Sequence, residues 1–151
     1  MTIVEDDLSG EQIRALLSFH LAEMARHSPP DGCFALDLAA LRDPSVTLWS
    51  AWDGAALLGC AALQQLTRTH GEIKSMRTAT EHLGKGVGMA LLEHIIGVAA
   101  RRGYRRLSLE TGSGPAFDAA LALYRKRGFV TGGPFGGHAG HPGSVYLHLD
   151  L

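Results

Sequence analysis

The sequence predicts a single domain of the α/β (α+β) class, and three observations support this prediction. In the first half of the chain, short apolar runs that alternate like strands are joined by tight turns. The second half contains two units in which a strand, a turn and a helix follow one another. The 151 residues show no internal repeat and no linker, so we expect one domain over residues 1–151.

Hydrophobic periodicity assigns the elements in chain order. The predicted strands cover residues 2–5, 46–52, 55–66, 71–78, 107–110, 129–130 and 145–149. The predicted helices cover residues 10–27, 36–41, 86–102 and 115–128. The last helix is expected to begin at Pro115, because the first turn of a helix does not need the N–H group that proline lacks.

Local turn signals place several ends of these elements. Ser9 and Gln12 have the spacing of a capping box, in which each side chain bonds the other residue's backbone N–H. The Ser-Pro-Pro-Asp-Gly run at residues 28–32 is expected to end the first helix. Asp53-Gly54 is typical of a two-residue β-hairpin connection, because glycine accepts the positive φ that such turns need. The strands on either side should therefore pair in antiparallel fashion.

Charge and composition argue against several classes of protein. The formal net charge is −1, which disfavours general binding of nucleic acid. No apolar stretch is long enough to span a membrane, and the acidic N-terminus lacks the pattern of a secretory signal. Cys33 and Cys60 have no metal-binding spacing. We expect reduced thiols in a cytoplasmic protein, with a lone disulfide as the alternative.

A glycine-rich turn is the strongest functional signal. Residues 81–94 read EHLGKGVGMALLEH, so glycines lie at alternate positions directly before an apolar helix. The unpaired N–H groups at the start of a helix bind phosphate well when the backbone is bare enough to be approached. Glycines alone are weak evidence, since a tight turn with no ligand would have the same pattern.

The context of this turn resembles a known family. Residues 72–88 are similar to motif A of the GNAT superfamily of N-acetyltransferases, with Gly86 and Gly88 on the glycine positions of the pattern Gln/Arg-x-x-Gly-x-Gly/Ala. Residues 119–129 resemble the segment that follows in the same family, Ala-x-x-Leu-Tyr-x-x-x-Gly-Phe. The matching residues here are Ala120, Leu123, Tyr124, Gly128 and Phe129.

The resemblance implies a GNAT-like mixed, mostly antiparallel central sheet, flanked by helices and splayed in a V around acetyl-coenzyme A. Backbone groups of β-strand residues would hold the pantetheine arm, and the glycine turn would hold the diphosphate. The implied coenzyme-binding residues are Met76, Arg77, Thr78, Leu83, Gly84, Lys85, Gly86, Val87, Gly88 and Met89. Leu83 departs from the family pattern, which has Gln or Arg there, and Lys85 either adds charge near the phosphates or is only solvated.

Two residues are the candidates for acid–base chemistry. Tyr124 matches the family tyrosine that hydrogen-bonds the coenzyme sulfur, so the resemblance implies a general acid; a core aromatic is the alternative. Glu72 lies at the interval before Leu83 at which some relatives carry a glutamate base; a surface pair with Lys74 is the alternative. His70 is the second choice for the base. We expect direct transfer in a ternary complex, because no cysteine is placed as a covalent relay.

Strict alternation would divide the strand that carries the candidate base into two faces. One face would hold Glu72, Lys74, Met76 and Thr78. The other face would hold Ile73, Ser75 and Arg77.

The acceptor is the least constrained part of the prediction. A primary amine of a small molecule or peptide is expected, with His20, Arg26, His27 and Phe34 as pocket candidates from their position alone. Arg77 either pairs with a carboxylate of the acceptor or packs along the edge of the cleft. The loop at residues 132–143 either covers the acceptor or forms a homodimer contact. No metal is expected, because the eight histidines lack suitable partners in sequence.

Two other functions stay open. One is a coenzyme A-binding module without acetyltransferase activity, and the other is a nucleotide-binding fold that uses the glycine turn differently.

Overall fold

The computed structural model describes residues 1–27, 37–138 and 140–151, and within them the chain forms one mixed sheet flanked by helices. The strands are β1 Thr2–Glu5, β2 Val46–Asp53, β3 Ala56–Gln65, β4 His70–Thr78, β5 Arg106–Gly112, β6 Val130–Gly132 and β7 Ser144–Asp150. The helices are α1 Glu11–His27, α2 Val87–Arg101 and α3 Asp118–Lys126, with 3₁₀ turns at Ala40–Arg42, Thr80–His82 and Pro115–Phe117. No helix among the described residues has the length and hydropathy needed to cross a bilayer.

The sheet has the strand order β1-β2-β3-β4-β5-β7-β6, and its central pair is the one that deviates from antiparallel pairing. β4 and β5 run parallel and pair over only three positions, which end at Glu72 opposite Ser108. β5 continues to pair with β7 as far as Gly112, while β4 stays paired with β3 up to Thr78. The two strands therefore separate, and the predicted V-shaped opening in the sheet is confirmed.

Helices cover both faces of the sheet and create two cores. Leu91 and Ile95 of α2 pack with Tyr124 of α3 against one face. Ile13 and Leu17 of α1 pack against the other face. Because burying apolar side chains is the dominant favourable term in folding, these two cores fix the sheet while the gap between β4 and β5 stays open.

A β-bulge in β4 overturns the predicted alternation of its side chains. Ala62 lies opposite Lys74 and Cys60 lies opposite Arg77, so one more residue of β4 than of β3 lies between the two pairs. Ser75 has a φ of 52°, a left-handed conformation that non-glycine residues rarely adopt.

The extra residue reverses the facing of every position that follows it. Ile73 and Met76 both pack in the core under α2 and α3, although alternation would have placed them on opposite faces. Arg77 reaches α1 and thus shares a face with Glu72 and Lys74, while Thr78 lies near Gly88 of α2.

Three further details differ from the prediction. Gln12 does not form a capping box, because its side-chain amide instead donates to Ala55 O and accepts from Leu57 N, across the hairpin between β2 and β3. Asp53 pairs with Ala56, so the hairpin turn lies one residue later than predicted. The predicted helix at 36–41 is wrong from residue 37 onwards, where only the turn Ala40–Arg42 forms, and residue 36 lies outside the described residues.

Substitutions at Ser75 should reveal the strain at the bulge. Glycine adopts a positive φ freely, whereas a β-branched side chain does so at high cost. We expect Ser75→Val to have a free energy of unfolding about 1–3 kcal/mol lower than Ser75→Gly, measured by urea denaturation. Equal stabilities of the two variants would contradict the left-handed bulge.

Candidate active site

The opening between β4 and β5 leads into a cavity of about 580 Å³ that connects the two faces of the sheet. On one side it is lined by α1, through His20, Met24 and His27. On the other side it is lined by α3 and by Gly88 at the start of α2. β4 itself contributes the continuous stretch from residue 72 to residue 78. A long substrate entering from the α2 side would therefore pass the exposed backbone of β4.

The glycine turn presents backbone amides at the mouth of this cavity. Gly84 and Gly86 have φ values of 77° and 83°, and an added Cβ would meet no atom within 4 Å at either position. The first amide to find a backbone partner is that of Ala90, which donates to Gly86 O at 3.1 Å. Among the described residues, no backbone hydrogen bond outside helices and strands uses an amide of residues 84–89. The turn is therefore open, and its N–H groups are available to an anion.

The side chains around the turn leave its backbone accessible. Leu83 lines the cavity and is 64% exposed. Its apolar side chain cannot accept a hydrogen bond from the amides of the turn. Lys85 Nζ lies 3.0 Å from His82 Nδ1. Gly88 is in closer surroundings, because a Cβ there would lie 3.2 Å from Leu123 Cδ2. Glycine at this position lets the start of α2 approach α3.

Tyr124 lies in the cavity wall, and its hydroxyl makes only a weak hydrogen bond. The hydroxyl donates to Met76 Sδ at 3.5 Å, and a thioether is a poor acceptor. Burial raises the pKa of Tyr124 to about 12, so the side chain keeps its proton throughout the neutral range. It is both a core residue and a cavity residue, and the two sequence interpretations are compatible.

Glu72 is buried in the cavity wall and is held by two basic side chains. Its Oε2 lies 3.2 Å from Lys74 Nζ and 3.1 Å from His138 Nε2. The predicted pair with Lys74 is therefore present, but it is not a surface pair, since the Glu72 side chain is only 5% exposed.

His138 and Glu110 complete a polar cluster that the sequence did not indicate. The other ring nitrogen of His138, Nδ1, lies 3.3 Å from Glu110 Oε1. Glu110 also lines the cavity. Its second carboxylate oxygen, Oε2, is buried and has no hydrogen-bond partner among the described residues. The alternation of residues 107–110 places Glu110 on the polar face of β5, but no local signal connects it to a loop residue.

Arg77 projects toward α1 and away from the glycine turn. Its Nε donates to His20 Nδ1 at 2.9 Å, and its guanidinium lies 5.7 Å from the centre of the Phe19 ring. Burial, followed by the charge of Arg77, lowers the pKa of His20 to about 4, so His20 is neutral near pH 7.

The remaining candidates are placed as follows. His70 does not line the cavity. Its Nε2 lies 2.6 Å from Ser108 Oγ, and this hydroxyl in turn lies 2.7 Å from His148 Nδ1. Arg26 is an exposed partner of Glu23, and His27 lines the cavity. Phe34 lies outside the described residues.

Comparisons with known proteins agree with this geometry. The model of the acetyltransferase (GNAT) family matches residues 13–129. The chain is 50% identical over 151 residues, 100% of both chains, to the uncharacterized N-acetyltransferase YsnE of Bacillus subtilis (strain 168). It is 45% identical over 150 residues, 99% of this chain and 94% of the relative, to the uncharacterized N-acetyltransferase YedL of Escherichia coli (strain K12).

A solved structure shares the fold as well. It is a GNAT family acetyltransferase from Elizabethkingia anophelis with acetyl-CoA bound, which matches with a TM-score of 0.73 at 21% identity, over 99% of this chain and 97% of that chain. The family match, which includes the glycine turn and the Leu-Tyr segment, confirms the resemblance seen in the sequence. The chain therefore belongs to the acetyltransferase (GNAT) family and is a GNAT-type N-acyltransferase.

Proposed function

We propose that this enzyme transfers the acetyl group of acetyl-CoA to a primary amine of a small molecule or peptide, directly and within a ternary complex. The observation that carries the proposal is the row of amides at residues 84–89, which have no backbone partner within the described part of the chain and lie at the mouth of a cavity that passes through the sheet. The related structure from Elizabethkingia anophelis, which has acetyl-CoA bound, supports the choice of cosubstrate.

The turn fits the diphosphate of coenzyme A. Backbone N–H groups at a helix start, next to the positive end of the helix dipole, favour an anion. Gly84 and Gly86 carry no Cβ that could keep phosphate oxygens away, and α2 is long enough to have a developed dipole. In this proposal Leu83, Lys85, Val87, Gly88 and Met89 complete the cradle, mainly through main-chain groups.

The open edge of β4 fits the pantetheine arm. Beyond Glu72, β4 has no hydrogen-bonded strand partner on its β5 side among the residues that the structure describes. Backbone groups of Met76, Arg77 and Thr78 that point into this gap need partners, because an unpaired buried N–H or C=O group is costly. An extended amide-containing chain supplies such partners. The same main-chain groups would polarise the thioester carbonyl.

Glu72 and Tyr124 divide the proton transfers between them. The cosubstrate supplies an acyl thioester whose C–S bond breaks as the new C–N bond forms. Glu72 takes the proton of the bound ammonium, directly or through water, so that the neutral amine can attack. Deprotonating an alkyl amine with a pKa of ~10.4 costs roughly 4–5 kcal/mol at pH 7, so this step is a substantial part of the task. The second proton, which the nitrogen loses once the C–N bond has formed, goes to water. Tyr124 gives its proton to the departing sulfur, which has a pKa near ~8.5 as a free thiol.

Release of free thiol from acetyl-CoA tests the activity. With a panel of primary amines, we expect thiol release that depends on both the amine and the enzyme. Calorimetric titration should give binding of coenzyme A and no comparable binding of NAD or ATP. Coenzyme binding without thiol release for any amine would favour the coenzyme-binding module instead, and equal binding of ATP would favour the nucleotide-binding alternative.

Tyr124→Phe should lower kcat by roughly tenfold or more, because the departing thiolate loses its proton donor. Tyr104→Phe is a matched control, since Tyr104 is also buried but donates to Gln65 Oε1 and does not line the cavity. The measurement is kcat from steady-state thiol release, with thermal unfolding as a check on folding. An unchanged kcat in Tyr124→Phe would remove Tyr124 from the mechanism.

Glu72→Gln should lower kcat/KM and alter its decline toward low pH, because glutamine cannot take up the proton of the bound ammonium. The part of the decline that comes from protonation of the free amine should remain in the variant. Glu93→Gln, which changes an exposed carboxylate paired with Arg127, is the matched control and should keep the wild-type profile. A Glu72→Gln profile with the same acidic limb as the wild type would exclude Glu72 as the base.

A further inference from the structure

Arg77 is a half-buried cation with no salt-bridge partner among the described residues, and the negative charge of Glu23 acts on it only from beyond 4.0 Å. No carboxylate oxygen of those residues lies within 4.0 Å of its guanidinium nitrogens, whereas Arg26, Arg106 and Arg127 each have such a partner. Glu23, which also lines the cavity, is engaged by Arg26 and His27. A cation removed from water without an anion is costly, and a ligand that brings an anion would offset this cost.

The surroundings of Arg77 prepare its outer nitrogens for a ligand. An arginine side chain only donates hydrogen bonds, so the contact with His20 Nδ1 requires that this nitrogen be unprotonated. The bond holds Nε, and the Phe19 ring supports one side of the guanidinium plane. The two terminal nitrogens remain for planar, bidentate recognition, and Arg77 lines the cavity.

The bulge at Ser75 puts Arg77 on the acceptor side of the sheet. Met76 and Thr78 face α2 and α3, where the coenzyme is proposed to enter, while Arg77 faces α1 together with Glu72. On β3, the residues opposite Arg77 and Glu72 are four positions apart, Cys60 and Gln64. Four residues of a strand span about 13 Å, which is the separation of the two positions along the backbone. The long side chains of Arg77 and Glu72 can reach toward each other, so the gap between their charged ends is the size of a small acceptor.

The far end of this space holds two carboxylates, of which Glu72 is paired with Lys74. Glu72 and Glu110 both line the cavity, and Glu110 Oε2 is buried without a hydrogen-bond partner among the described residues. A buried acceptor without a partner can accept a hydrogen bond from a ligand, and an amine is such a donor. The cavity is thus cationic at Arg77 and anionic at Glu110, which matches a molecule with an amine at one end and a carboxylate at the other.

We propose that the acetyl acceptor is an aminocarboxylate, an amino acid or a close analogue, whose carboxylate binds the terminal nitrogens of Arg77 while its amine faces Glu72 and Glu110. This inference rests on the proposed function. It assigns the side chain of Arg77 to the acceptor rather than to the coenzyme, and it makes His20 a positioning residue that fixes the guanidinium.

The test compares amino acids with their own carboxamides, which keep the amine and lose the negative charge. In the wild type, kcat/KM for thiol release should be at least about tenfold higher for the carboxylate member of the preferred pair. Arg77→Gln should lower kcat/KM for the carboxylate by about tenfold or more and change that for the carboxamide by less than about twofold. The KM for acetyl-CoA should stay the same.

Arg102→Gln provides a matched control. Arg102 also stacks on an aromatic ring, that of Trp49, and donates to Thr47, but it does not line the cavity. It should leave the preference for the carboxylate unchanged. Arg77→Lys keeps the positive charge but cannot donate two parallel hydrogen bonds to a carboxylate, so it should retain part of the preference. This variant serves as the second test if Arg77→Gln does not fold.

Four results would overturn the inference. If the wild type releases thiol equally well with amino acids and with their carboxamides, the acceptor is not specifically an aminocarboxylate, and the proposed function stays intact. An equal loss for both members of the pair in Arg77→Gln would indicate a structural role, and a raised KM for acetyl-CoA would return Arg77 to the coenzyme. Absence of thiol release with every amine would instead remove the proposed function, and this inference with it.

Discussion

The separation of β4 from β5 is the constraint on which the rest of the structure depends. The two strands pair over three positions and then diverge, while each remains paired with its outer neighbour. Diverging strands leave main-chain groups without partners, and folding tolerates this only where water or a ligand can satisfy them. The two cores hold the strands apart from opposite faces, so the opening is built into the sheet rather than created by a loop.

The bulge in β4 then decides which chemistry faces each side of the opening. With regular pleating, Arg77 would point toward the coenzyme side and Met76 toward α1; the left-handed Ser75 reverses both. Arg77 consequently joins the acidic and basic groups of the α1 face, where His138 lies between Glu72 and Glu110. In its imidazolium form this ring can donate to both carboxylates, which reduces the cost of burying two anions close together. His138 thus joins a carboxylate of β4 to one of β5 on the polar side of the site.

The sequence predicts those features that depend on local chemistry. Glycines before a helix and a Leu-Tyr segment are local signals, and the structure has α2, α3 and the open turn where they lie. Pro115 begins the 3₁₀ turn Pro115–Phe117 instead of the predicted α-helix, and α3 starts only at Asp118. The misses have causes that are distant in sequence. Gln12 loses its capping role to a hairpin more than 40 residues away, and His138 reaches Glu72 across 66 residues. The bulge at Ser75 has no signal at all, because serine carries no preference for a positive φ.

The central claim is that the main-chain amides of residues 84–89 hold the diphosphate of coenzyme A. A crystal structure of the enzyme grown with coenzyme A tests this most directly. The account predicts diphosphate oxygens within about 3.2 Å of several of these amide nitrogens, with the pantetheine arm along the open edge of β4. A complex in which the diphosphate lies elsewhere, and these amides bind only water or neighbouring side chains, would contradict it.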